Sequence, residues 1–188
     1  MSLAPGRTGS WSLADLPALP EGRQRYEIID GCLLVTPPPP ARHQSIVLRL
    51  IRLLHKAAQD GMVPLDGVSV ALRGGPTPRV LVPDLVVARP EAVRSGRTVF
   101  EPADLLLAVE IVAPSSESID RLTKPSLYAD AGIDAFWRVE PDDPHGPIIV
   151  SHLLAAGAYR VEATVRGEQR RVINKPFTMR LCPAELVS

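Results

Sequence analysis

Val80-Leu81-Val82-Pro83-Asp84-Leu85-Val86-Val87 and Leu105-Leu106-Leu107-Ala108-Val109-Glu110-Ile111-Val112 are two apolar runs, each interrupted by one carboxylate. Runs of this kind suit strands covered on both faces. A lone ionised carboxylate in such a run needs a partner, because burying an isolated charge is expensive. Two readings follow. Asp84 and Glu110 could lie on neighbouring strands and offer hard oxygen ligands to Mg²⁺ or Mn²⁺. Alternatively, each pairs with an arginine or sits at a solvated strand end. Lys124, at the start of the next helical stretch, is the third element. It could reach back over the strand ends to orient a water or offset charge on a phosphate. Its spacing alone favours a surface lysine near a helix start.

Outward from these runs the chain reads as one sheet-based domain. Tyr26-Glu27-Ile28-Ile29 and Cys32-Leu33-Leu34-Val35 flank Asp30-Gly31, a strong hairpin signal, and Pro37 to Pro40 close it off. Ser12 to Leu19 suits one short helix. Residues 41–59 carry a helical stripe of Val47, Leu50, Ile51 and Leu54. His43 falls on the same face and points inward with it. Arg42, Arg49, Arg52 and Lys56 share another face, either a phosphate-tracking row or a solvated cationic surface. Val63 to Leu72, Val80 to Ala88 and Leu105 to Val112 are expected as three strands. Residues 118–131 suit a helix with Pro125 in its first turn and Gly132 at its end. Ala135 to Val139 is a strand, Ile148 to Leu154 and Tyr159 to Val165 form a late hairpin about Ala156-Gly157, and Arg170 to Ile173 adds a strand. Strands, helix, strands, helix, strands indicate an α/β or α+β sheet domain.

Composition bounds the function. At 188 residues, 45% of them hydrophobic, the chain suits one globular domain: a frayed tail at 1–10, then a single domain at 11–188. No apolar run is long enough to span a bilayer, and Met1 to Ser10 lacks the apolar centre of a signal peptide. A cytoplasmic location without membrane attachment is the default. Lys+Arg and Asp+Glu both number 21, so any grip on nucleic acid must be local. Cys32 and Cys182 lack metal-site spacing. Ser115 to Ser118 suit helix capping better than nucleophilic catalysis. Gly74-Gly75-Pro76 reads as a turn, since no G-K-[ST] follows it.

Pro83-Asp84, then Glu110-Ile111-Val112, then Lys124 resembles the PD-(D/E)XK nuclease superfamily, with Val112 standing where the lysine is usual. Further segments share one pattern with these: Tyr26 to Gly31, Pro38 to His43, Val82 to Val87, Val109 to Ser116, Lys124 to Gly132, and Trp137-Arg138-Val139. Together, from about Trp11 to Leu186, they resemble the bacterial Uma-type family of restriction-endonuclease-like proteins, in which the lysine has moved to the following helix. Ala113 stands where a serine is usual. The resemblance implies a restriction-endonuclease-like fold, a central mixed sheet flanked by helices, with Glu27 and His43 near the pocket of Asp84, Glu110 and Lys124. It implies an endonuclease acting on DNA with Mg²⁺ or Mn²⁺ held by Asp84 and Glu110. From the residues alone, Glu27 could equally face solvent, and His43 could be a satisfied core histidine. Two rivals to the enzyme are a nuclease-fold binding module without activity, favoured by neutral charge and by Val112, and a metal-dependent hydrolase of a small phosphorylated substrate. Symmetric cutting of both strands would call for a homodimer.

Overall fold

The computed structural model describes residues 2–3, 9–57, 61–72, 77–114 and 116–188. The turn expected at Gly74-Gly75-Pro76, and Ser115, lie outside them, as do residues 1 and 4–8 of the tail. In chain order the strands are β1 (Ser2–Leu3), β2 (Arg25–Ile29), β3 (Cys32–Thr36), β4 (Val63–Leu65), β5 (Ser69–Leu72), β6 (Arg79–Leu81), β7 (Leu85–Ala88), β8 (Val99–Phe100), β9 (Leu105–Ile111), β10 (Ala135–Glu140), β11 (Ile148–Ala155), β12 (Ala158–Arg166), β13 (Arg171–Ile173) and β14 (Met179–Leu181). The helices are α1 (Ala41–Ala57), α2 (Pro90–Arg94), α3 (Lys124–Asp130) and α4 (Ala184–Val187), with a 3₁₀ turn at Leu13–Ala18.

Two six-stranded sheets, ordered β1-β3-β2-β6-β5-β8 and β12-β11-β10-β9-β7-β4, form an α+β fold, and β13 and β14 pair separately. Both sheets are mixed: β9–β10 and β5–β8 are parallel pairs, and the rest are antiparallel. The second sheet is central. On one face Leu85, Val87, Leu107, Val109 and Ile111 pack against Ile46, Val47, Leu50 and Leu54 of α1 and against the C-terminal segment. On the other, Val86, Ala108 and Phe136 meet Val70 and Leu81 of the first sheet and Leu127 and Tyr128 of α3. Burial on both faces is why β7 and β9 are apolar throughout. The period-2 alternation of a strand then turns Glu110, like Ala108, away from α1.

The runs at 63–72 and 80–88, expected as single strands, each divide between the sheets. β4 and β7 belong to the central sheet, and β5 and β6 to the other. The breaks fall at Asp66-Gly67, with Gly67 at φ +67°, and at Val82-Pro83-Asp84. There Pro83 has no N–H for a ladder, and Val82 donates its N–H to Glu27 instead, at 3.0 Å. The helix expected at 118–131 begins as a π turn, Ile119–Thr123, and continues as α3 with Pro125 in its first turn. The wider turn absorbs the loss of proline's N–H. Gly132, at φ +80°, ends it.

Candidate active site

Four segments converge where the two sheets meet: β2, the Pro83-Asp84 bend, the end of β9, and the helical stretch through α3. Arg25 and Glu27, two apart on β2, share a strand face. Asp120, Lys124 and Tyr128 succeed one another at the spacing of a helix turn, and so present one stripe. The resulting cavity holds about 140 Å³ and is roofed by Pro37 to Pro40.

Lys124 is 1% exposed. Its Nζ lies 3.0 Å from Glu110 Oε2, 3.2 Å from Glu27 Oε1 and 3.6 Å from Asp120 Oδ1. Burial works against the ammonium charge, but Glu110, Glu27 and Asp120 outweigh it and raise its pKa. Glu110 is fully buried and accepts a second hydrogen bond from the Tyr128 hydroxyl, at 2.5 Å. Burial pushes its carboxyl well above the ordinary range, and Asp84, Asp120 and Glu27 add to the rise against the pull of Lys124. Asp120 is raised in the same way, mainly by burial. Asp84 differs. Its Oδ1 is 2.7 Å from Arg25 Nη1, and its Oδ2 lies 3.2 Å from His43 Nε2 and accepts the Ile111 N–H at 2.8 Å. Burial would raise its pKa, but the bond to His43 and the charge of Arg25 hold it well below the usual carboxylate range.

The structure therefore gathers Glu27, His43, Asp84, Glu110 and Lys124 around one cavity. Glu27 faces inward and is buried, and Lys124 is no surface residue. Among the described residues, the arginine partner left open for Asp84 and Glu110 exists for Asp84 alone, as Arg25. Arg25 and Asp120 were not singled out from the sequence, and Tyr128 entered only within the shared segment Lys124 to Gly132, with no role at the site. Their signal was spacing: Arg25 two before Glu27, Asp120 four before Lys124, Tyr128 four after it. Arg42, Arg49, Arg52 and Lys56 line neither this cavity nor the larger cleft beside it. Arg42 pairs with Asp142, and Arg49 donates to Ser188 Oγ at 3.3 Å. Arg52 and Lys56 are exposed.

Among the described residues, no three Asp, Glu, His or Cys side chains are gathered closely enough to hold an ion by themselves. The donor set nonetheless suits a hard divalent cation, because Mg²⁺ is usually held by one or two carboxylates and completes its shell with water and phosphate. Four buried acids (Glu27, Asp84, Glu110 and Asp120) face two cations, Lys124 and Arg25. Glu27 Oε2 is buried without a hydrogen-bond partner, and Asp120 Oδ1 has only its 3.6 Å ion pair with Lys124. Orphaned carboxylate oxygens are costly, and a cation within reach would relieve them.

Comparison with known proteins gives a consistent picture. Residues 13–179 match the family Uma2, described as "Putative restriction endonuclease". The fold is similar to that of a crystal structure from Anabaena variabilis, described as "a putative nuclease belonging to DUF820". The TM-score is 0.74 at 16% identity, covering 94% of this chain and 97% of that one. At that identity the likeness concerns the fold. No curated protein matches the chain.

Proposed function

This chain belongs to the Uma2 family, and from that premise we propose that it is a metal-dependent endonuclease hydrolysing phosphodiester bonds in DNA. The observation that carries the proposal is the buried cluster of three carboxylates around one lysine, with a fourth, Asp84, held beside them by an arginine that is itself partly exposed. Asp84 and Glu110 would hold Mg²⁺ or Mn²⁺. A divalent ion there supplies Lewis acidity toward a phosphoryl oxygen and toward water.

The protein's own groups divide the remaining tasks. Lys124 presents a fixed ammonium that can orient an attacking water and offset negative charge developing on the phosphate. Arg25 holds Asp84 from the solvent side, where its guanidinium can also meet an incoming phosphate. His43 fixes the other oxygen of Asp84, so its part is positioning. Glu27 holds Lys124 and keeps one oxygen for a water or an ion. Arg52 and Lys56 on α1 would supply outer phosphate contacts.

The test is cleavage of supercoiled plasmid and of single-stranded DNA with Mg²⁺ or Mn²⁺ against EDTA, with Asp84→Ala and Glu110→Ala as controls. Metal-dependent cleavage lost in both variants is the expected result. Cleavage of neither DNA by parent or variants, or equal cleavage by all, overturns the proposal. One observation favours a second reading, an inactive nuclease-fold binding module. Both oxygens of Asp84 and of Glu110 already accept protein donors. Calorimetric titration with Mn²⁺ separates the two, since an inactive module would show no heat that depends on Asp84.

A further inference from the structure

We propose that the larger cleft beside the reaction pocket is a nucleobase subsite, which takes one unpaired base next to the reacting phosphate. This rests on the nuclease reading and assigns its substrate class: single-stranded DNA, or an unpaired end or flap, in preference to continuous duplex.

The cleft holds about 580 Å³, within the range of pockets that enclose small organic ligands. Arg25, Pro39, His43 and Asp84 line it and the 140 Å³ reaction pocket alike. These four residues are the partition between the two spaces. A group seated in the cleft therefore lies one side chain away from the carboxylates.

The walls suit a flat, edge-polar ring. Leu48 is 60% exposed although it sits within a helix whose other large apolar residues are buried or partly buried. It faces the cleft with Val47, and Leu16 lies on the cleft wall as well. Gln24 and Gln44 supply the polar edges. Gln24 Oε1 accepts the Tyr26 hydroxyl at 2.9 Å, leaving its amide N–H groups for a ligand. Gln44 Nε2 donates to Pro39 O at 3.3 Å, leaving its Oε1. A free donor and a free acceptor lining one cleft are the groups that the edge of a base requires. Arg23, exposed at the same cleft and without an ion pair among the described residues, complements the phosphodiester that must flank any such base. A base stacked inside a duplex cannot enter a concave pocket unless it is extruded, and this favours a strand that is already unpaired.

The test uses the full chain and a short single-stranded DNA with one 2-aminopurine, placed at successive positions. Binding is followed by fluorescence in EDTA, so that no cleavage occurs. At one position the fluorescence should change on binding. Leu48→Trp, which fills the cleft from an exposed position, should abolish that change and weaken binding about tenfold (about 1.4 kcal/mol). An abasic site at that position should weaken binding by the parent to a similar extent and leave Leu48→Trp unaffected. Gln24→Ala should show a smaller loss of the same kind. Equal binding of the normal and abasic strands by the parent, or equal binding of the normal strand by parent and Leu48→Trp, overturns the subsite. A parent that nicks plasmid with Mg²⁺ but ignores the abasic change refutes the subsite alone. A base-dependent signal without cleavage in any metal supports the subsite and refutes the nuclease reading.

Discussion

Lys124 is the common cation of three buried carboxylates, so its removal leaves Glu27, Glu110 and Asp120 facing one another. Lys124→Met should destabilise the protein by about 3 kcal/mol or more near neutral pH. The loss should shrink in mild acid, where Glu110 and Asp120, both raised above their ordinary values, take up protons and dispel the repulsion. Calorimetric melting at about pH 5 and pH 8 checks this; an equal loss at both would show that the carboxylates are not the cause. On the proposed reading the variant should still bind Mn²⁺ and lose plasmid cleavage, because the ammonium would act on the phosphate rather than on the ion. At this scale the sequence was legible where chemistry is conspicuous. Asp84 and Glu110 announce themselves as charges in apolar runs, and His43 by its place on a buried stripe. Arg25, Asp120 and Tyr128 carry no such mark, since an arginine, an acid or a tyrosine at those spacings is ordinary until the chain closes around it.

Among the elements, the hairpin of β2 and β3 tests local geometry most directly. Asp30 and Gly31 both have positive φ, at 49° and 79°, as a two-residue turn between twisted strands requires. A Cβ on Gly31 would collide with Ser10 Oγ. Gly31→Ala should therefore cost about 1–3 kcal/mol from strained backbone and crowding, read as a lowered melting temperature. Replacing Ser10 as well, by glycine, should recover only part of the loss. On α1, Arg52→Glu with Lys56→Glu should reduce the salt slope of DNA binding by about two, one unit for each phosphate the helix no longer neutralises. An unchanged slope would confine the phosphate contacts to the cavity side, at Arg23 and Arg25. Strand boundaries were the least legible part. Periodicity sees Val63 to Leu72 and Val80 to Ala88 as continuous, because residues covered on both faces are apolar whichever sheet they join. Only Gly67 and Pro83 hint that the backbone turns there. The short β8, β14, α2 and α4 hold too few residues to set up a period at all.

For the molecule as a whole, equal numbers of acids and bases mean that the local excess of carboxylates at the site dominates its response to pH and metal. Glu110 and Asp120 have folded pKa values above their ordinary 4.5 and 3.8. Their contribution to stability is therefore full below those values and is lost as pH rises through the folded ones. Asp84, held low, contributes oppositely: its share is present above 3.8 and disappears only in strong acid. The metal-free protein should be most stable in mild acid and weaken toward pH 8. Mn²⁺ should raise the melting temperature more at pH 8 than at about pH 5.5, by linkage to the folded state. Calorimetry across pH, with and without the ion, measures this, and a metal effect independent of pH would count against carboxylate ligation.

The alternation of the chain between its two sheets also bears on synthesis. β7 pairs with β9, and Asp84 takes its backbone hydrogen bond from Ile111. Glu110 waits for Lys124 and Tyr128. A nascent chain leaving the ribosome thus carries Glu27 and Glu110 before it carries Lys124, the cation they share. Until Tyr128 has cleared the exit, Glu110 lacks both the ammonium and the hydroxyl that hold it in the folded protein, so the site closes only once this helix has been made.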